Sequence, residues 1–204
     1  MEFKDMLYSR VEDKLKTGDI VLFGDNKRLD SYEKIFWYHI AMVIRVPEIK
    51  FPLLWEAVSF NKDRNKIDNN NDNISQLVSF YQKIKSYQEE VENNIKPRVA
   101  VRRLIVIRSN EILIALNELL YKIHDLPSPR AMKLALEAFN GQNFNIKSSI
   151  KGYGCGELVA EAYTRMGLVD NQREMSSYVP WNFSSEGNLK LIKGSLDKEV
   201  NIIL

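Results

Sequence analysis

The single cysteine of the chain, Cys155, stands between two glycines in the stretch KGYGCGELVAEAY, and the first question is what one thiol does there. Downstream, Leu158, Val159, Ala162 and Met166 recur at three- and four-residue spacing, and Gly167 follows where a helix needs a left-handed terminating residue. Cys155 therefore opens a predicted helix. The unpaired first-turn amides and the positive end of the helix dipole favour an anion there, so the thiolate is stabilised and the sulfur is a candidate nucleophile. Gly154 and Gly156 remove side-chain bulk on both flanks, which would let a substrate carbonyl approach the sulfur and the first amides. A packed thiol acting as a small hydrophobe is the competing role.

A nucleophilic thiol needs a base, and the base needs a third group to orient it. The chain has two histidines. His124, in KIHDLPSP, closes a predicted helix, a place where imidazole commonly serves terminal carbonyls, and it is assigned a structural role. His39 opens the β-branched run HIAMVIRV, whose alternation puts His39, Ala41 and Val43 on one strand face. Glu56 lies inside LLWEAVS with Leu54 and Val58 on its own face. A carboxylate in an apolar strand is costly without a partner, and a histidine on the neighbouring strand is a natural one. If the two strands pair, Glu56 fixes the tautomer of His39 and leaves the other ring nitrogen for the sulfur. A strand-edge glutamate reaching water is the alternative.

The elements that must carry these groups follow from pattern. DIVLF from Asp19, HIAMVIRV from His39, LLWEAVS from Leu53 and RVAVRRLIVI from Arg98 read as strands, the last interrupted at Arg102 and Arg103. Two prolines in PEIKFP break the second from the third, as in a hairpin or meander. The Asn-, Asp- and Lys-rich stretch after residue 60 reads as a solvent loop leading into a helix from Ile74 to Glu92. Helices follow over 110–123, from Ser128 to Asn140 with Pro129 in the first turn, and behind Cys155. A short strand is expected in NLKLIKG near the end. The order, strands then helices, predicts one α+β domain over residues 1–204 with the sheet packed on the cysteine helix.

Composition sets outer bounds. The 204 residues are 45% hydrophobic and 27% charged, ordinary for a globular chain, and the formal net charge of +2 gives no bulk reason to bind nucleic acid. One cysteine precludes an internal disulfide. The N-terminal stretch lacks the apolar core of a signal peptide, and no run approaches the roughly 20 apolar residues needed to span a bilayer. The cysteine and the separated histidines show no paired zinc-ligand spacing, so no metal or other cofactor is expected. In KPRVAVRR, strand alternation separates Arg102 from Arg103, and a solvated strand face is expected there.

TGDIVLF, HIAMVIR, WEAV and GYGCGELVAEAYTRMGL, followed by VPWNFSS, together resemble the circularly permuted NlpC-type, papain-like proteins, including YiiX-like bacterial members and poxviral relatives. The similarity runs over nearly the whole chain in the permuted order, histidine first and cysteine last. It implies a small antiparallel β-barrel or sheet packed against helices, with the nucleophile at a helix N-terminus. It implies Cys155 as nucleophile, His39 as base and Glu56 as orienting residue, with Gly18 and Asp19 forming a structural turn. Many members carry a hydroxyl residue where this chain has Gly156, and a Tyr-Asp pair where FNI begins at Phe144; both departures bear on substrate preference.

The function expected is that of a cysteine peptidase or amidase, a thiol hydrolase cleaving an amide through an acyl-enzyme, with a small peptide, including cell-wall-type peptides, as substrate. A lipid acyl hydrolase or acyltransferase using the same three residues is the second reading, and a binding protein retaining the fold the third. Tyr153, Gly156 and Trp181 are the candidate substrate-binding residues, and Tyr163 and Tyr178 are further aromatics that could line an acyl groove or fill the core. Residues 61–97 are expected to form an insertion or lid. The expected location is cytoplasmic or virion-associated.

Overall fold

A computed structural model of the chain describes residues 5–25, 36–47, 49–59, 73–89, 97–124, 145–170 and 172–204. Eight strands build the main sheet: β1 (Asp5–Leu7), β2 (Ile20–Asp25), β3 (Phe36–Ile44), β4 (Leu53–Ser59), β5 (Asn73–Ser79), β6 (Pro97–Arg102), β8 (Asn145–Lys151) and β10 (Val200–Ile203). Their order is β1-β10-β6-β2-β3-β4-β5-β8, antiparallel except for the parallel β1–β10 pair. Two short strands, β7 (Leu104–Ile105) and β9 (Ser195–Leu196), pair beside it. The helices are α1 (Tyr8–Val11), α2 (Phe80–Glu89), α3 (Asn110–Ile123) and α4 (Cys155–Arg165). The class is α+β, as the element pattern predicts. The expected barrel is not formed among the described residues: β1 and β8 end the order, so the sheet is open.

The period-two alternation of the central strands builds two cores from one sheet. Ile20, Leu22, Ile40, Met42, Trp55 and Leu77 face α3 and α4, packing on Leu116, Leu120, Leu158, Val159, Ala162 and Tyr163. Val21, Phe23, Ala41, Val43, Leu54, Val99 and Val101 face the other way, onto Tyr8 and Val11 of α1 and Phe80 and Ile84 of α2. Each Val, Leu, Ile, Met or Phe among them contributes about 1.5–3 kcal/mol on burial, so a one-residue register slip would exchange the two sets and is strongly disfavoured. Gly167 adopts φ +67° and closes α4 where the sequence requires it, with the Leu168 amide donating back to Tyr163.

Several expectations are corrected. Residues from Ile74 onward do not start a helix: NISQLVS pairs with β4 over its whole length, Leu53↔Ser79 to Ser59↔Asn73, with Leu77 buried, and only Phe80–Glu89 is helical. In the described part of the expected insertion or lid, β5 is a strand of the sheet and α2 packs on its face, and the rest of it, 61–72 and 90–96, lies outside the described residues. The helix expected from Ser128 to Asn140 and the FNI departure at Phe144 also fall outside them. NLKLIKG forms no strand; Leu189 and Leu191 pack on the core, Gly194 turns at φ +75°, and β9 and β10 follow. Strands are therefore not confined to the first half, since β8 and β10 join the sheet from the second.

Arg102 is not on a solvated face. It is buried at the end of β6 and donates to the carbonyls of Asp197 (2.6 Å), Phe183 (2.6 Å) and Leu196 (3.2 Å), so it ties the C-terminal segment to the sheet. Arg103 falls between β6 and β7, half-exposed and 2.9 Å from Asp197. The Gly18–Asp19 turn is structural: Gly18 has φ +92°, and buried Asp19 accepts from the amides of Lys16 and Leu104, both at 2.9 Å, and from Arg108 at 2.7 Å.

Candidate active site

The carboxylate of Glu56 is completely buried, and three donors account for its two oxygens. His39 Nε2 lies 2.6 Å from Oε2, while Oε1 receives Gln76 Nε2 at 2.7 Å and Lys83 Nζ at 2.9 Å. The strand alternation that puts Glu56 beside Leu54 on the α2 side of the sheet brings it under His39 of β3, Gln76 of β5 and Lys83 of α2. Burial favours the protonated acid, yet His39 and Lys83 overcome it and hold Glu56 down to about 2. The carboxylate is ionised across the physiological range.

His39 is mostly enclosed, with 17% of its side chain exposed, and its ring packs on Phe23 with centroids 5.5 Å apart. With Nε2 committed to Glu56, Nδ1 is the nitrogen left for a second partner. The Cys155 sulfur is the group close enough to act on the ring's ionisation besides Glu56. Burial alone would favour neutral imidazole, but the bonds to Cys155 and Glu56 outweigh it and push the ring up to about 9.

Cys155 is the first residue of α4, half-buried at the point where the helix meets β3. Gly154 is extended as N-cap (φ −71°, ψ 157°), its amide donates to Glu157 at 3.1 Å, and its carbonyl takes the first intrahelical bond from Leu158 at 2.9 Å. The β3–β4 ladder spans only Met42↔Trp55 to Ile44↔Leu53, and the Ile40 amide lies beyond it. Burial raises the thiol, but His39 and the amides of Ile40 and Gly156 pull it net below its ordinary value. A thiolate facing an imidazolium, with a carboxylate behind the ring, can attack an electrophilic carbon and then return a proton to the leaving group.

The three residues expected to act together are therefore brought together. Of the expected substrate-binding residues, Gly156 is buried, and Tyr153 and Trp181 are partly exposed. Gly156 is buried against backbone: a Cβ there would stand 2.3 Å from the Tyr178 carbonyl oxygen and 3.0 Å from Val179 Cα. Its lack of a side chain is what admits this close approach. Tyr153 and Trp181 are half-buried against the core. Tyr163 and Tyr178 are core residues, Tyr163 with its hydroxyl donated to the Gly18 carbonyl at 2.7 Å. His124 is buried behind α3 and receives Trp55 Nε1 at 3.0 Å, a structural placement.

Two site residues escape sequence reasoning, Gln76 and Lys83. Reading 74–92 as one helix hides the strand that brings Gln76 to Glu56, and Lys83 is one of many lysines in a polar stretch. The legible signal was Glu56 itself, since a buried carboxylate demands more than one donor. Among the described residues no group of three or more His, Cys, Asp or Glu is gathered for a metal, and no helix is long and apolar enough to cross a membrane. No protein-family model and no curated protein matches the chain.

Proposed function

We propose that the protein is a papain-like cysteine hydrolase that cleaves an amide bond through a thioester on Cys155. The observation that carries this reading is the 2.6 Å contact between His39 Nε2 and the buried Glu56, with the Cys155 sulfur near enough to the ring to act on its ionisation. Its support from sequence is the order histidine, glutamate, cysteine on strand, strand and helix start, the permuted arrangement of the NlpC-type family that the motifs resemble. In the reaction, the Cys155 thiolate adds to the amide carbonyl carbon, and the C–N bond breaks as imidazolium 39 gives its proton to the departing nitrogen. Water then adds to the thioester, His39 takes its proton, and the C–S bond breaks to release the acid and restore the thiolate. Glu56 stays ionised throughout and orients the ring.

An activity-based thiol probe tests this directly. The wild-type protein is labelled, Cys155→Ala is not, and His39→Ala is labelled about a hundredfold more slowly. Equal labelling of His39→Ala and wild type would remove the assignment. Hydrolysis of a γ-linked dipeptide, with a short-chain lipid ester as competitor substrate, then decides the acyl class: turnover of the ester alone transfers the same machinery to lipid substrates.

A further inference from the structure

The segment that sequence reading places over the cleft instead reaches the site from behind. Lys83 of α2 sets its ammonium 2.9 Å from Glu56 Oε1, while His39 occupies Oε2 at 2.6 Å. Glu56 is wholly buried and Lys83 is 24% exposed, so solvent screens the cation only in part. The two cations also flank one ring: Phe23 lies 5.5 Å from the His39 centroid and 6.0 Å from Lys83 Nζ. One anion thus serves two positive groups, one on each oxygen.

This sharing has a chemical consequence. A buried carboxylate facing a single imidazolium attracts it by about 4 kcal/mol at 4 Å and an effective dielectric of 20, and that attraction opposes every proton transfer from the ring. Such a ring makes a good counter-ion for a thiolate and a poor acid for a leaving nitrogen. A second cation on the carboxylate repels the imidazolium and weakens the hold while the carboxylate and its orienting bond remain.

We propose that Lys83 is a positioning residue that acts through Glu56, dividing the carboxylate between two cations so that imidazolium 39 releases its proton more readily than in an isolated His–Glu pair. The inference rests on the reading of Cys155 and His39 as nucleophile and proton carrier, and assigns α2 a part in it. Among the described residues, the groups that face this arrangement are Cys155 from α4, Glu56 from β4, Gln76 from β5 and Lys83 from α2. Tyr87 of α2 packs on the far part of Phe23 and donates its hydroxyl to the Gly24 carbonyl at 2.8 Å, and Lys85 pairs with Glu89 at 3.9 Å.

The test reads the ring itself. The chain has two histidines, so labelling histidine Cε1 with 13C gives two NMR titration curves, and His39→Ala identifies one of them. Cys155→Ala, which removes the thiolate, lowers the titration midpoint of His39. Lys83→Met and Lys83→Gln each raise it by about one pH unit, the effect of removing a like charge at this range, and Lys83→Arg leaves it close to wild type. A lysine that merely braced α2 would act in the opposite sense, because loosening Glu56 frees the ring of its counter-charge and lowers the midpoint. An unchanged or lowered midpoint in the folded neutral variant overturns the inference. If the ring moves with Cys155→Ala but not upward with the Lys83 variants, only the role of Lys83 falls; if it ignores Cys155→Ala, the active-site reading falls and this inference with it.

Discussion

Replacing Glu56 by glutamine keeps the volume of a completely buried side chain and removes its charge, leaving His39 and Lys83 without their shared anion. The depression of Glu56 from an ordinary 4.5 to about 2 corresponds to about 3 kcal/mol of stability. The sign follows from which state binds protons. The folded-state value is the lower one, so the contribution is fully present above about 4.5 and is lost as pH falls through about 2. At about pH 3 less than half of it remains. Urea unfolding of wild type and Glu56→Gln across this range should therefore give a difference of about 3 kcal/mol near neutrality that shrinks steadily below about pH 4.5. His39 is protonated in both states throughout that window and adds no slope of its own. Two parallel stability curves would mean that Glu56 is no more acidic folded than unfolded, and the ion-pair cluster behind the ring would have to be abandoned.

Gly156→Ala places a Cβ 2.3 Å from the Tyr178 carbonyl oxygen, a backbone atom that cannot rotate away, so about 1–3 kcal/mol of overpacking strain should lower Tm by about 5 °C. An unchanged Tm in a thermal melt would refute the close approach. Arg102→Met leaves the carbonyls of Phe183, Leu196 and Asp197 without their buried donor and should cost about 3 kcal/mol in urea unfolding, whereas Arg103→Met, which removes a half-exposed ion pair, should cost less than about 1 kcal/mol. Equal losses in the two variants would contradict the assignment of Arg102 as the buried tie.

The parts of the fold that were legible in sequence are those where one local signal outweighs its rivals. Strict alternation around Val21, Ile40 and Leu54 sets β2, β3 and β4, and the apolar spacing with Gly167 behind it sets α4. NISQLVS failed because Ile74, Leu77 and Val78 suit a helical stripe as well as a strand, and the choice is made by β4, which offers seven paired positions that no local pattern reveals. The strands at the chain ends, β1 and β10, are three and four residues long and exist only because they pair with each other and with β6. Cys155, His39 and Glu56 were legible because each is chemically out of place on its own element. Lys83 was not, since a lysine on a polar helix is ordinary until a buried carboxylate is found beneath it. The packing demand on Gly156 was not legible either, since the approach of Tyr178 comes from a segment more than twenty residues away.

The site lies across the sheet, and this explains why so many elements are needed to hold three side chains. Cys155 belongs with the layer beneath α4, whereas His39 and Glu56 share strand faces with Ala41, Val43 and Leu54, which pack toward α1 and α2. An unbroken β3–β4 ladder would put a wall of paired backbone between them. The ladder stops at Met42↔Trp55, while β2 and β3 remain paired through an irregularity between Phe23 and Gly24 as far as Asp25↔Phe36. Where the β3–β4 pairing ends, the first residue of α4 comes against β3, near enough to the Ile40 amide for that amide to help lower the thiol. The sulfur-to-ring geometry thus depends on how α4 sits on one face and how Glu56 is fixed on the other. A carboxylate held by the ring alone could follow the ring; one held also by Gln76 and Lys83 cannot, so Glu56 is a fixed anchor for His39 Nε2.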